Sequence, residues 1–272
     1  MTTDVISKDL KAALKRLKLS PVLHTLPERL VLARQQKMPH QDFLFLLLQD
    51  EVTRRDGMAT SRRAQRARLD PCMVFEEWDS TARVSYDQEL LNELVSLRFV
   101  EAGRHVGIYG PVGVGKTFVA TALGHVACRH GYSVLFARHD KLLKALKHSR
   151  LDQSYESELC KLLAVDLLVI DEFALDAMDA DESKDTYEIL VERHRAGSIV
   201  LTSNRDPSEW LAAFADPVRA QAAVDRFTSN AYDLVIDGES YRQREKPTLD
   251  ATRTEKPAPH QVPAARRRRG RR

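Results

Sequence analysis

The sequence predicts an α/β fold: a parallel five-stranded sheet flanked by helices, preceded by a small all-α N-terminal domain. Three observations predict it. Short β-prone runs alternate with helical stretches between residues 105 and 236, the order a parallel sheet requires. One of those runs, 165–170, is apolar almost throughout, as in a strand buried on both faces. Residues 4–70, by contrast, show only helical spacing punctuated by prolines.

The helical region comes first. Leu10, Leu14 and Leu17 fall on one face of a first helix, with Lys11, Lys15 and Lys18 on another. Pro21 and Pro27 limit it on the C-terminal side. Pro27 suits the opening of a second helix over 28–37, which must stop before Pro39. A third starts near His40, carries Phe43, Leu44, Leu47 and Leu48, and runs through Glu51. A basic stretch follows, with Arg54, Arg55, Arg62, Arg63, Arg66 and Arg68. It fits contact with DNA phosphates or with a protein partner, and equally a solvated helix face. Asp70-Pro71 breaks the pattern, and 71–84, with Phe75 and Trp78, reads as an irregular connector. Helical spacing resumes over 86–102 (Leu90, Leu91, Leu94, Leu97), and Gly103 closes it.

The first strand of the sheet, His105–Tyr109, leads into Gly110, Pro111, Val112, Gly113, Val114, Gly115, Lys116, Thr117 and Phe118. The glycine spacing followed by Lys-Thr is the Walker A phosphate-binding pattern. Glycines let the loop curl and aim its N–H groups inward. Lys116 brings a positive charge to the β- and γ-phosphates of ATP, and Thr117 offers a hydroxyl to Mg²⁺. An Ala- and Leu-rich helix over 118–129 then points its N-terminus at the anion. Given a nucleotide, Trp78 and its connector either pack beside the adenine or pack on the core.

Beyond Gly131, 133–137 reads as a strand, and Asp140 suits the cap of a helix over 141–150. The apolar run at 165–170 ends in Asp171-Glu172, at the sheet edge where α/β sites lie. This is a Walker B pattern: Asp171 holds Mg²⁺ and Glu172 serves as general base toward the attacking water. A helix over 183–196 and a strand over 198–202 lead to Ser203-Asn204-Arg205, where a polar side chain is placed to orient the lytic water. Asp216-Pro217 caps a helix containing Asp225-Arg226-Phe227. A last strand, 234–236, precedes Gly238 and Ser240-Tyr241-Arg242.

Charge is segregated along the chain. Residues 1–70 carry 14 Lys and Arg against 8 Asp and Glu, and 246–272 carry 9 against 2. With a total of +3, the middle is left at −10, an acidic core between two basic ends suited to a polyanion. The expected divisions are 1–70, a helical DNA- or partner-binding domain, 71–245, the ATPase domain, and 246–272, a disordered basic tail. No apolar run approaches a membrane span, and three scattered cysteines suit the reducing cytoplasm.

Taken together, the segments 110–117, 167–172, 202–205, 225–227 and 238–242 resemble the IstB insertion-sequence transposition helpers. These are AAA+ ATPases related to the bacterial helicase loader DnaC, and the likeness spans about residues 5–245. The resemblance implies an ATPase that oligomerises as a ring or spiral filament on duplex DNA and recruits a cognate transposase, in the bacterial cytoplasm and on the nucleoid when bound to DNA. Hydrolysis would then control disassembly. It also implies roles that spacing alone does not: Asn204 as sensor 1, Arg226 as an arginine finger acting in trans, and Arg242 as sensor 2. Arg193 and Arg205 are weaker candidates for such roles. The alternative within the clade is a DnaC-like loader of the replicative helicase.

Overall fold

The computed structural model describes residues 6–79, 81, 83–194 and 196–241. Three helices come first: α1 (Lys8–Arg16), α2 (Val22–Gln35) and α3 (His40–Arg66). After a helical turn at Phe75–Glu77 come β1 (Val84–Ser85), α4 (Gln88–Val95), α5 (Arg98–Glu101) and β2 (His105–Tyr109). The chain continues through α6 (Lys116–Arg129), β3 (Val134–Arg138), α7 (His139–Leu151), α8 (Tyr155–Ala164) and β4 (Leu167–Asp171). It closes with α9 (Ala180–Arg193), β5 (Ser198–Ser203), a 3-10 segment (Pro207–Ala213), α10 (Pro217–Thr228), β6 (Ala231–Val235) and β7 (Asp237–Gly238).

Five strands form one parallel sheet in the order β3-β4-β5-β2-β6. Successive residues of a strand face opposite sides, and the apolar contacts follow that alternation. Leu167 and Val169 of β4 pack with α6 and α4 on one face, while Leu168 and Ile170 pack with α7, α9 and α10 on the other. Both faces are therefore covered, and β2, β4 and β5 are buried along their whole lengths. Among the described residues no helix is long and apolar enough to cross a membrane.

Several local expectations are corrected. Pro27 does not open α2; it lies inside it, as the sixth residue counted from Val22. Pro21, at φ −60°, already has helical geometry, and buried Val22 and Leu26 hold the turn in which the proline removes a hydrogen bond. The third helix continues through Glu51 as expected and runs 27 residues in all, so Arg54 to Arg66 of the basic stretch form its C-terminal half. Gly57 within it costs about 1 kcal/mol relative to alanine. Packing offsets this: Ala64, Ala67 and Leu69 are buried in the core that includes α6. Arg63 Nε donates to the Cys128 carbonyl at 2.9 Å, and His125 Nε2 lies 2.8 Å from the Asp70 carbonyl, tying the end of α3 to α6.

The helix expected over 86–102 breaks at Leu97, whose φ of 61° allows the 1% exposed side chain to stay in the core while the chain turns. Asp140 does not cap α7; Arg138 occupies that position, and Asp140 sits in the first turn as an ion-pair partner of Arg138 and Lys144. Asp216 does cap α10, accepting from the Val218 and Arg219 N–H groups, with Pro217 at the first helical position.

Candidate functional site

Parallel strands bring their C-terminal ends to one edge, and the site lies there. Tyr109 pairs in register with Ser203 on one side and Val235 on the other, so the loop after β2 emerges between the ends of β5 and β6. Gly110 to Gly115 curl back above that edge into α6. Two glycines are required by geometry. Gly113 has φ 88°, and a Cβ there would lie 2.1 Å from Ser240 Oγ. Gly115 has φ 100°, and a Cβ would press on the Trp78 ring at 3.0 Å. The Lys116 Nζ donates to the Gly110 and Pro111 carbonyls at 2.7 and 2.6 Å, so the ammonium is folded within the curl of the loop.

Opposite the loop, the end of β4 supplies the acidic pair. Thr117 Oγ1 donates to Asp171 Oδ1 at 2.8 Å, and Thr202 Oγ1 donates to the same oxygen at 2.6 Å. Asp171 is buried. Glu172, the next residue, has φ 55°, a conformation that costs a non-glycine residue on the order of 1 kcal/mol or more. Its N–H donates to Thr202 Oγ1 at 3.1 Å, which holds the turn, and its carboxylate meets the Arg138 guanidinium at 2.6 Å. Thr202 thus fixes both acids at once. The hydroxyl of Thr117 against a buried carboxylate is a set of hard oxygen donors of the kind Mg²⁺ prefers, and the glycine-tight loop leaves room for phosphate oxygens at the start of α6.

The cavity bounded by these groups has a volume of about 350 Å³. Val112 to Phe118 line one wall, Glu172, Thr202 and Asn204 another, and Trp78 and Tyr241 the apolar end. Trp78 packs on the core, one of the two expectations for the connector. Its ring packs on Phe118, with centroids 5.2 Å apart, and also faces the cavity. The segment after β6 straps the loop: β7 pairs antiparallel with β1, and the Tyr241 N–H donates to the Gly113 carbonyl at 2.9 Å.

The structure therefore brings together Gly113 to Phe118, Asp171, Glu172 and Asn204, with Gly110 and Pro111 supplying carbonyls to Lys116. Arg226 is not among them. It sits half-buried on α10, its Nη1 donating to the Ala222 carbonyl, and does not line the cavity of its own chain. Arg242 lies outside the described residues. Arg193 is excluded from such a role: it is fully buried, and its guanidinium serves the carbonyls of Leu162, Leu163, Val165, Asp166 and Ser198. Burial pulls its pKa down to about 10. Arg205 donates to the Leu175 carbonyl. Sequence reasoning missed Thr202 and Arg138. The first stood in plain view beside Asn204; nothing in the sequence marked the second.

Among the arginines of the basic stretch, Arg54, Arg55, Arg62, Arg63 and Arg66 are separated by their partners. Arg54 and Arg55 both bind Glu51, and hydrogen bonds from Arg54 and Arg55 hold its carboxyl at about 2. Arg63 is tethered to Cys128. Arg62 and Arg66 are exposed.

Comparison with known proteins agrees with this geometry. The family model described as IstB-like ATP binding protein matches residues 12–248. An insertion-sequence ATP-binding protein of Mycobacterium tuberculosis is 38% identical over 239 residues, covering 88% of this chain and 95% of its own. The insertion sequence IS21 ATP-binding protein of Pseudomonas aeruginosa is 34% identical, covering 88% and 90%. Among solved structures, that of DnaI superposes with a TM-score of 0.52 at 23% identity, covering 60% of this chain and 90% of that one. The last likeness shows the fold alone, over 60% of this chain.

Proposed function

Because the chain belongs to the family of IstB-like ATP-binding proteins, we propose that it is an ATP-hydrolysing helper of DNA transposition. It assembles as a homo-oligomer on duplex DNA in its ATP state, recruits a cognate transposase there, and releases when ATP is hydrolysed. The observation that carries the ATP chemistry is the Thr117–Asp171 hydrogen bond, which joins phosphate loop and strand end across 54 residues of sequence. The helicase-loader alternative has only the shared fold in its support.

In this reading the loop N–H groups and Lys116 bind the phosphates, and Thr117 with Asp171 holds Mg²⁺, which would neutralise charge on the β- and γ-phosphates. Glu172 takes the proton of the attacking water. To do so its carboxylate parts from Arg138, so the described arrangement is a restrained one. Asn204 orients the water from the end of β5. Arg226 takes the role the family resemblance implies, an arginine finger on the γ-phosphate of a neighbour, which its place off the cavity of its own chain supports, and the site is then complete only between two protomers. Arg242 serves as sensor 2 in this reading.

A mixing experiment tests the shared site. Arg226→Ala and Lys116→Ala proteins are each expected to hydrolyse ATP slowly on duplex DNA. Combined, they should recover a substantial fraction of wild-type phosphate release, because an intact loop meets an intact finger at some interfaces. No recovery on mixing would show that Arg226 does not act across an interface.

A further inference from the structure

A second concavity, about 730 Å³, lies on the opposite flank of the sheet from β6, beside the edge strand β3. Six cations converge on it from four separate segments: Arg63 and Arg66 from α3, Arg68 just beyond it, Arg138 from the end of β3, Lys141 from α7 and Lys161 from α8. A single carboxylate, Glu158, shares the wall, and it is already paired with Lys161. Arg138 is shared between Asp140 and Glu172. Arg66, Arg68 and Lys141 are exposed and make no ion pair among the described residues.

Half of these cations, Arg138, Lys141 and Lys161, belong to residues 71–245, which carry −10 overall, so the concentration is not a by-product of the basic N-terminal region alone. Holding unpaired cations close together costs electrostatic energy that an anionic ligand recovers. The groove is also firmly built. Arg63 is fixed on the Cys128 carbonyl, and the Phe136 N–H donates to the Ala67 carbonyl at 2.8 Å. That second bond covers the middle of the β3 edge, so an incoming peptide strand finds its hydrogen-bonding row interrupted. Charged contacts to a phosphate backbone need no such row.

We propose that this groove seats the phosphate backbone of duplex DNA, with Arg66, Arg68 and Lys141 as the contacting cations. The proposal rests on the reading of the protein as a DNA-bound helper and assigns that contact to the junction of the α-helical region with the edge of the sheet. It separates Arg66 from Arg62, which is exposed on the same helix but lies outside the groove.

The test is the affinity of the full chain, with ATP analogue, for a random-sequence duplex across a salt series. Arg66→Gln/Arg68→Gln/Lys141→Gln is expected to bind at least tenfold more weakly, with the log–log salt slope reduced by about three, one for each lost phosphate contact. Lys141→Gln alone, at an exposed helix position, should reduce the slope by about one. Arg62→Gln should match wild type, and nucleotide affinity should be unchanged in every variant. Wild-type affinity and slope in the triple variant overturn the groove assignment while leaving the helper reading intact. Loss of binding to a polyglutamate peptide with DNA affinity retained overturns it in favour of an acidic protein partner. A wild-type protein that binds no duplex in any nucleotide state overturns both.

Discussion

Lys116→Ala is expected to weaken ATP binding by roughly 100-fold or more, about 2.7 kcal/mol, measured by calorimetry or fluorescent-nucleotide titration. The magnitude follows from position. Lys116 is 7% exposed and enclosed by the loop, where a charge–phosphate contact is poorly screened by water. The bonds to the Gly110 and Pro111 carbonyls are lost as well, so part of the effect comes from a looser loop. The fold should survive, because the α6 core of Val119, Ala120 and Leu123 is untouched. Retained tight ATP binding by a folded Lys116→Ala protein would contradict the phosphate-loop assignment.

Glu172→Gln separates binding from hydrolysis. The variant is expected to bind ATP as wild type does and to release phosphate at least 100-fold more slowly, within the range general-base removal produces. The backbone explains why binding should persist. The Glu172 N–H to Thr202 Oγ1 bond does not involve the side chain, and Asp171 keeps its two hydroxyl partners. The lost ion pair with Arg138 is partly exposed and contributes little to stability. The variant should therefore accumulate as a persistent ATP-bound assembly on DNA. Unchanged turnover would place the base elsewhere, and lost nucleotide affinity would show that Glu172 shapes the pocket rather than the reaction.

What was legible in the sequence follows from what is local. Gly110 to Thr117 is a loop whose backbone angles and chemistry are set by adjacent residues, and Asp171-Glu172 ends a strand whose apolarity marks its burial. The order of strands and helices then required a parallel sheet. Contacts made by register were not legible. Thr202 meets Asp171 because β5 lies beside β4, and Arg138 meets Glu172 because β3 lies on the other side of β4. Helix boundaries depart from local preference where packing outweighs it. Pro27 sits inside α2 because buried Val22 and Leu26 hold its turn, and Gly57 is carried in an exposed stretch of α3 whose end packs at Ala64, while Leu97 breaks a continuous helical pattern to keep its own side chain in the core. Arg54 and Arg55, read from the sequence as DNA contacts, instead pair with Glu51, three and four residues before them on the helix.

The central claim is that ATP held at the β2–β4 sheet edge governs assembly on duplex DNA. The most direct measurement is duplex binding by the full chain with and without a nonhydrolysable ATP analogue, read together by fluorescence anisotropy and particle imaging. Weak, dispersed binding is expected without nucleotide, and multi-subunit particles on DNA with the analogue. Equal affinity and the same monomeric particles in both states would contradict it.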